Sequence, residues 1–181
     1  MTATDKSNSN SDAFGSVAME SYALNPVGAH IFRAQHEAVL RQANRISVCI
    51  AQGIGPSGPG RDQAVSACIA MTTMISLLSI HQSLEESLVR RMLSGDPRLR
   101  TQIDQYEREI APVISEFHAL TRKFTSPSVI AEKGPEFAQA FSSVLSMLQE
   151  RFKSEERDLF GAYDRALRIG LPSGAILDQE S

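Results

Sequence analysis

Four ionisable side chains interrupt the apolar seams of predicted helices in this 181-residue chain. His36 lies on the first helix, His81 and Glu85 lie on the second, and Glu155 lies on the last. An ionisable group on a core seam is costly unless it is paired or bound to a metal. Imidazoles and carboxylates that converge inside a helix bundle are the usual ligands of a buried metal centre. The four residues therefore predict either a metal site or buried ion pairs.

Four amphipathic helices must position these side chains. Apolar residues recur at steps of three and four along residues 26–52, 62–94, 97–125 and 135–167. Glycines and prolines separate the segments, most clearly at residues 53–60. No segment shows the period-two alternation of a strand. We therefore expect an all-α, antiparallel up-down four-helix bundle over residues 25–170, with a disordered or loosely docked tail over 1–24 and a second tail over 171–181.

The heights of the ionisable residues along such a bundle can be compared at 1.5 Å per residue. Measured from the end where the first helix begins, His36 lies roughly 15 Å up, Glu85 and His81 roughly 14 and 20 Å, and Glu155 roughly 18 Å. His118 on the third helix comes to roughly 30 Å unless a kink or break at Pro112 lowers it. If the third helix is regular, Tyr106 or Glu107 faces the polar layer instead.

Four segments in this order resemble the hemerythrin-like, HHE cation-binding domains over about residues 26–168. They are HIFRAQHEAVLRQ, HQSLEESL, EFHALTRKF and ERFKSEERDLF. The resemblance implies an iron site whose ligands are His36, His81, Glu85, His118 and Glu155. Arg122 and Arg151 occupy positions where the family often has histidine, and a cation there repels a metal. The implied site is either mononuclear, a depleted di-iron centre, or absent.

Two functions stay open on these grounds. The first is a metal-binding bundle that binds, senses or stores a small ligand such as dioxygen, or the metal itself, without catalytic turnover. The second is a metal-free bundle that binds a protein partner as a regulator, since ERFKSEERDLFGAYDRA is also similar to anti-sigma-type helical regulators. In that case Arg122 and Arg151 would neutralise Glu155. A di-iron oxidase or peroxidase-like enzyme is a third reading, which the missing ligands disfavour.

Composition narrows the remaining classes. A net charge of −3 and a pI near 5.8 do not indicate a nucleic-acid-binding protein. The polar start lacks an apolar signal core, which favours a cytoplasmic protein. Residues 64–80 are uncharged, but their serines and threonines favour a bundle helix over a membrane span. Glu86 and Glu156 are expected to point outward as solvated charges. The oligomeric state is left open.

Overall fold

The computed structural model describes residues 28–93 and 97–170 of the chain. These two ranges contain four long helices, one short helix and no strand, which confirms the all-α prediction. The two predicted tails, 1–24 and 171–181, lie outside the described residues. The helices are α1 (His30–Ala51), α2 (Pro59–Leu93), α3 (Pro97–Lys123), the short α4 (Pro127–Glu132) and α5, which is built from the consecutive segments Gly134–Ser154, Glu155–Leu159 and Phe160–Gly170.

A layer of buried polar side chains divides the core into a larger and a smaller apolar part. The larger part includes Ile46, Met74 and Phe141, and the smaller part includes Phe32 and Tyr163. We call the layer between them the polar cluster, which consists of His36, His81, Glu85, Arg151 and Glu155. Each of these five residues is at most 5% exposed, so their charges must be balanced inside the protein.

Two helix starts are fixed by hydrogen bonds to their first turns. The backbone N–H of Ala29, just before α1, donates to Asp164 Oδ1 of α5 at 3.0 Å. At α4, the N–H of Val129 donates to Ser126 Oγ at 3.4 Å, and Pro127 occupies the first helical position.

Two π-helical segments interrupt α2 and α5, and each begins at a carboxylate of the polar cluster. They span Glu85–Arg90 in α2 and Glu155–Leu159 in α5. A π turn inserts one extra residue into a helical turn and is frequent at functional sites. In α2 this insertion places Val89 rather than Leu88 on the buried side, and Val89 is fully buried.

The third helix runs through Pro112 without a break, so of the kink or break expected at this proline, the break does not occur. Residues 108 and 112 both lie on the exposed side of α3. Water can therefore satisfy the carbonyl that proline leaves without a partner, and the helix continues. As expected for an unbroken helix, Tyr106 faces the polar cluster and His118 does not.

Helix α2 is long and apolar enough to raise the question of a membrane span. Within the described ranges, it is the one helix long and apolar enough for a span, and that criterion alone is weak. It turns His81 and Glu85 into the polar cluster. On its exposed side, Thr72, Thr73 and Ser76 donate their hydroxyls to carbonyls one turn earlier. The two ionisable residues turned into the polar cluster fit its predicted role as a helix of the bundle.

Candidate metal centre

Three helices bring two imidazoles and one carboxylate to a common point. His36 of α1 and His81 of α2 approach each other to 3.4 Å between their Nε2 atoms. Glu155 of α5 places Oε2 at 2.9 Å from His36 Nε2 and at 3.4 Å from His81 Nε2. All three side chains are buried. The predicted convergence of these three residues is therefore present in the structure.

The outer nitrogen of each imidazole is held by a second side chain. His36 Nδ1 lies 2.8 Å from Glu156 Oε1, and His81 Nδ1 lies 3.1 Å from Gln35 Oε1. Both partner atoms are acceptors, so each Nδ1 donates to its partner when it carries the proton. Each Nε2 faces the centre, where it offers a lone pair to a metal or, when it carries a proton, donates to Glu155 Oε2. This pattern of an acceptor behind each histidine is typical of metal ligands.

Glu156 and Gln35 were missed by the sequence analysis. Glu156 was expected to point outward as a solvated charge, and its side chain is exposed as expected, but its carboxylate also accepts from His36. The π turn that begins at Glu155 widens the helix there, and both consecutive carboxylates contact His36. A regular helix pattern cannot anticipate that. Gln35, next to His36 in sequence, carried no signal.

The spacing of the three inner atoms fits one metal ion. A metal with bonds of about 2.0–2.2 Å to nitrogen and oxygen holds neighbouring ligand atoms between roughly 2.8 Å in octahedral and 3.6 Å in tetrahedral geometry. The observed separations of 2.9, 3.4 and 3.4 Å fall inside this range. Three lone pairs that converge at such distances repel one another unless a proton or a cation lies between them.

Beside these three atoms lies a second, differently built part of the cluster. The guanidinium of Arg151 contacts Glu155 Oε1 through Nε at 2.5 Å and Glu85 Oε1 through Nη2 at 3.5 Å. It also stacks on the ring of Tyr106 at 4.9 Å. Arg90 Nε approaches Glu85 Oε1 at 3.6 Å. The predicted pairing of Glu155 with Arg151 is thus present together with the histidine contacts.

Hydrogen bonding in this second part is incomplete. Within the described part of the chain, neither oxygen of Glu85 and none of the three guanidinium nitrogens of Arg151 has a well-aligned hydrogen-bond partner. Glu85 Oε2 lies 3.7 Å from His81 Nε2, at the edge of the three-residue group. Buried carboxylate oxygens without donors are costly in a native protein. They are also free to coordinate a cation.

The two carboxylates respond in opposite directions to these surroundings. Burial by itself would raise the pKa of Glu155, but His36, His81 and Arg151 more than offset it and lower the pKa to about 2. Burial and the neighbouring charge of Glu155 raise the pKa of Glu85 above its usual value, against the attraction of nearby arginines. The lowered pKa favours the ionised form of Glu155. The raised pKa disfavours the ionised form of Glu85, and another cation nearby would stabilise that form.

Aromatic rings hold the histidines in place from the apolar side. The imidazole of His36 stacks on Phe152 with ring centroids 3.8 Å apart and planes 10° apart. Phe32 meets His81 edge-on at 6.0 Å between centroids. Tyr106 donates its hydroxyl to the carbonyl of Ser154 at 3.2 Å, and burial raises its pKa to about 12. The tyrosine is therefore a neutral support beneath Arg151.

Two residues of the sequence hypothesis lie away from this centre. His118 is exposed on α3 and is not one of the three clustered ligands, because the unbroken helix carries it past the layer. Arg122 is also exposed, so it does not neutralise Glu155 as the metal-free hypothesis proposed. Two arginines occupy positions where the family often has histidine. Of these two, only Arg151 reaches the polar cluster.

Comparison with known proteins gives one match. No curated protein and no solved structure matches the chain significantly. The family profile described as the hemerythrin HHE cation-binding domain matches residues 27–163, which cover both the helices and the polar cluster. A bundle that carries two histidines and a carboxylate at one interior point agrees with this match. The chain therefore belongs to the hemerythrin HHE cation-binding family.

Proposed function

We propose that this protein binds a single iron ion through His36, His81 and Glu155, with Glu85 beside them as an additional ligand. The observation that carries the proposal is the convergence of two imidazole Nε2 atoms and one carboxylate oxygen, each pair 2.9–3.4 Å apart. Two histidines and one carboxylate with open positions form the donor set of mononuclear non-haem iron(II) sites.

Arg151 supports one ion rather than two. Its guanidinium contacts Glu85 and Glu155 on the side of the cluster away from the histidines. A fixed cation at that point repels a second metal and uses the carboxylate oxygens that would bind it. The chain thus provides one group of atoms that face a common point and one group that already contacts a cation of the protein.

The proposed role is to bind or sense a small ligand, or to hold the metal, rather than to turn over a substrate. Bound iron of this kind supplies open coordination positions and a reversible redox change. The protein's own residues orient the two imidazoles through Glu156 and Gln35 and shield them with Phe152. Dioxygen is a ligand of suitable size for such a centre.

Metal titration tests this proposal directly. Chelator-stripped protein, titrated anaerobically with Fe(II) and measured by elemental analysis, should bind about one ion per chain. His81→Ala should weaken Fe(II) binding roughly 100- to 1,000-fold, because it removes one of the three ligands and that ligand's part of the binding free energy. His118→Ala is the matched control and should bind like wild type. A folded protein without measurable affinity, or equal losses in both variants, would refute the proposal.

A second function remains supported by one observation. The contacts of Arg151 to both carboxylates could balance the cluster without metal, as a metal-free regulatory bundle that binds a protein partner would require. Protein purified without chelator separates the two. About one iron per chain favours the first function, and a colourless, metal-free, folded protein favours the second.

A further inference from the structure

An apolar cavity lies between α2 and α3, directly against the polar cluster. Its volume is about 110 Å³. Isoleucine, leucine, valine and phenylalanine side chains form most of its lining, among them Ile75 on α2, Ile114 on α3 and Leu148 on α5. At its inner end it reaches His81, Arg151 and Glu155. The cavity is therefore a space of its own that shares one boundary with the candidate metal centre.

The outer end of the cavity opens between exposed polar residues. Gln82 and His118 lie there, and both side chains are exposed. Ser79 and Thr121 also line it, but each donates its hydroxyl to a carbonyl of its own helix at 3.0 Å. The lining thus offers little polarity except at the cluster. His118, which the sequence suggested as a ligand, instead marks this opening.

The size and lining select a class of molecule. Water fills about 30 Å³ per molecule in the liquid, and an apolar cavity of about 150 Å³ in another protein stays dry and binds benzene. A volume of 110 Å³ is larger than a diatomic molecule needs. A small hydrocarbon-like molecule fills it and gains dispersion contacts on every side.

The charges at the inner end disfavour an anion. Arg151 is the cation there, but its guanidinium already faces Glu85 and Glu155. A carboxylate ligand would add a third negative charge to this buried group, which low dielectric makes costly. A neutral molecule avoids that cost.

We infer that this cavity is a binding site for a small neutral apolar molecule of about four to six heavy atoms, held between α2 and α3 against the polar cluster. The site itself needs no metal. A molecule held there lies beside His81 and Glu155, and any effect on a metal at that point rests on the proposed function.

Benzene binding to the purified protein, measured by calorimetry alongside its metal content, tests the inference. Wild type should bind benzene, and Ile114→Phe, which fills the cavity from α3, should bind it roughly tenfold more weakly or not at all. Ile75→Phe fills the cavity from α2 and replaces Ile114→Phe in the test if Ile114→Phe does not fold. Ile50→Phe is the matched control, since Ile50 is also half-buried against the larger core but does not line the cavity.

Several outcomes overturn the inference. They are no benzene binding to wild type, equal weakening in Ile50→Phe, or tighter binding of propionate than of benzene. Xenon-induced NMR shifts of Val113 and Leu148 methyl groups, compared with those of Val39, locate the site without any variant. Because Fe(II) titration is a separate measurement, failed metal binding with intact benzene binding would reject the proposed function and retain the cavity site.

Discussion

The two sides of the polar cluster surround the buried carboxylates with different kinds of partner. On one side, His36 and His81 direct their Nε2 atoms at Glu155 Oε2, and their outer nitrogens are held by Glu156 and Gln35. On the other side, a guanidinium faces two carboxylates over a tyrosine ring. The first arrangement needs a cation from outside, whereas the second has one built in.

Glu155 contributes one carboxylate oxygen to each side of the polar cluster. Its Oε2 faces the imidazoles, while its Oε1 contacts Arg151. A metal and the guanidinium therefore share one carboxylate and influence each other's binding through it. Arg151 should stabilise the metal-free protein and at the same time weaken its affinity for metal.

Arg151→Met breaks the comparison most strongly. Removal of the guanidinium takes away the cation that contacts both buried carboxylates, and breaking a buried pair in this way costs about 3–5 kcal/mol. The free energy of unfolding of metal-free protein, measured with urea, should fall by that amount. The affinity for Fe(II) should rise, since the repelling charge is gone. Arg122→Met, an exposed arginine, is the control, and weaker metal binding in Arg151→Met would contradict the shared-carboxylate view.

The pH dependence of Glu155 gives the next largest effect. Its folded-state pKa of about 2 lies below the ordinary value of 4.5, so its ionisation stabilises the folded protein above pH 4.5 and this contribution disappears as the pH falls toward 2. The shift corresponds to on the order of 3 kcal/mol. Metal-free wild type should therefore exceed Glu155→Gln in stability at pH 7, and the gap should narrow below pH 4.5. A gap independent of pH would reject this assignment.

Glu156→Gln sharpens the comparison with the smallest effect. The change weakens the acceptor behind His36 Nδ1 without removing a ligand, and such changes cost roughly 10- to 100-fold in metal affinity. Competition with a chelator measures the loss. Glu150→Gln is a suitable control, because Glu150 is exposed and pairs with Lys153. If both variants bind metal like wild type, Glu156 does not support His36 as a metal ligand.

The sequence allowed the bundle and most of its inner surface to be predicted, because apolar spacing and the costs of burying charge are local properties. His36, His81, Glu85 and Glu155 could be recognised as inward-facing for that reason, and the unbroken third helix gave Tyr106. His118 could reach the layer only if Pro112 bent or broke the helix, and Pro112 lies on an exposed side where the helix continues.

Other features depend on packing between helices and could not be predicted. Gln35 and Glu156 look like surface residues in the sequence and become partners only where α1 meets α2 and α5. The cavity between α2 and α3 depends on how far two helices stand apart. Periodicity within one helix contains no information on that distance.

The π segment in α2 has a consequence for how this chain should be compared with relatives. Ahead of Glu85 the buried residues follow one helical phase, and beyond it Val89 and Leu93 follow a phase advanced by a single residue. An alignment of relatives without this extra residue must place its one-residue gap within 85–90. If the gap is placed elsewhere, inward positions are matched with outward ones, and a genuine ligand is mistaken for a surface substitution.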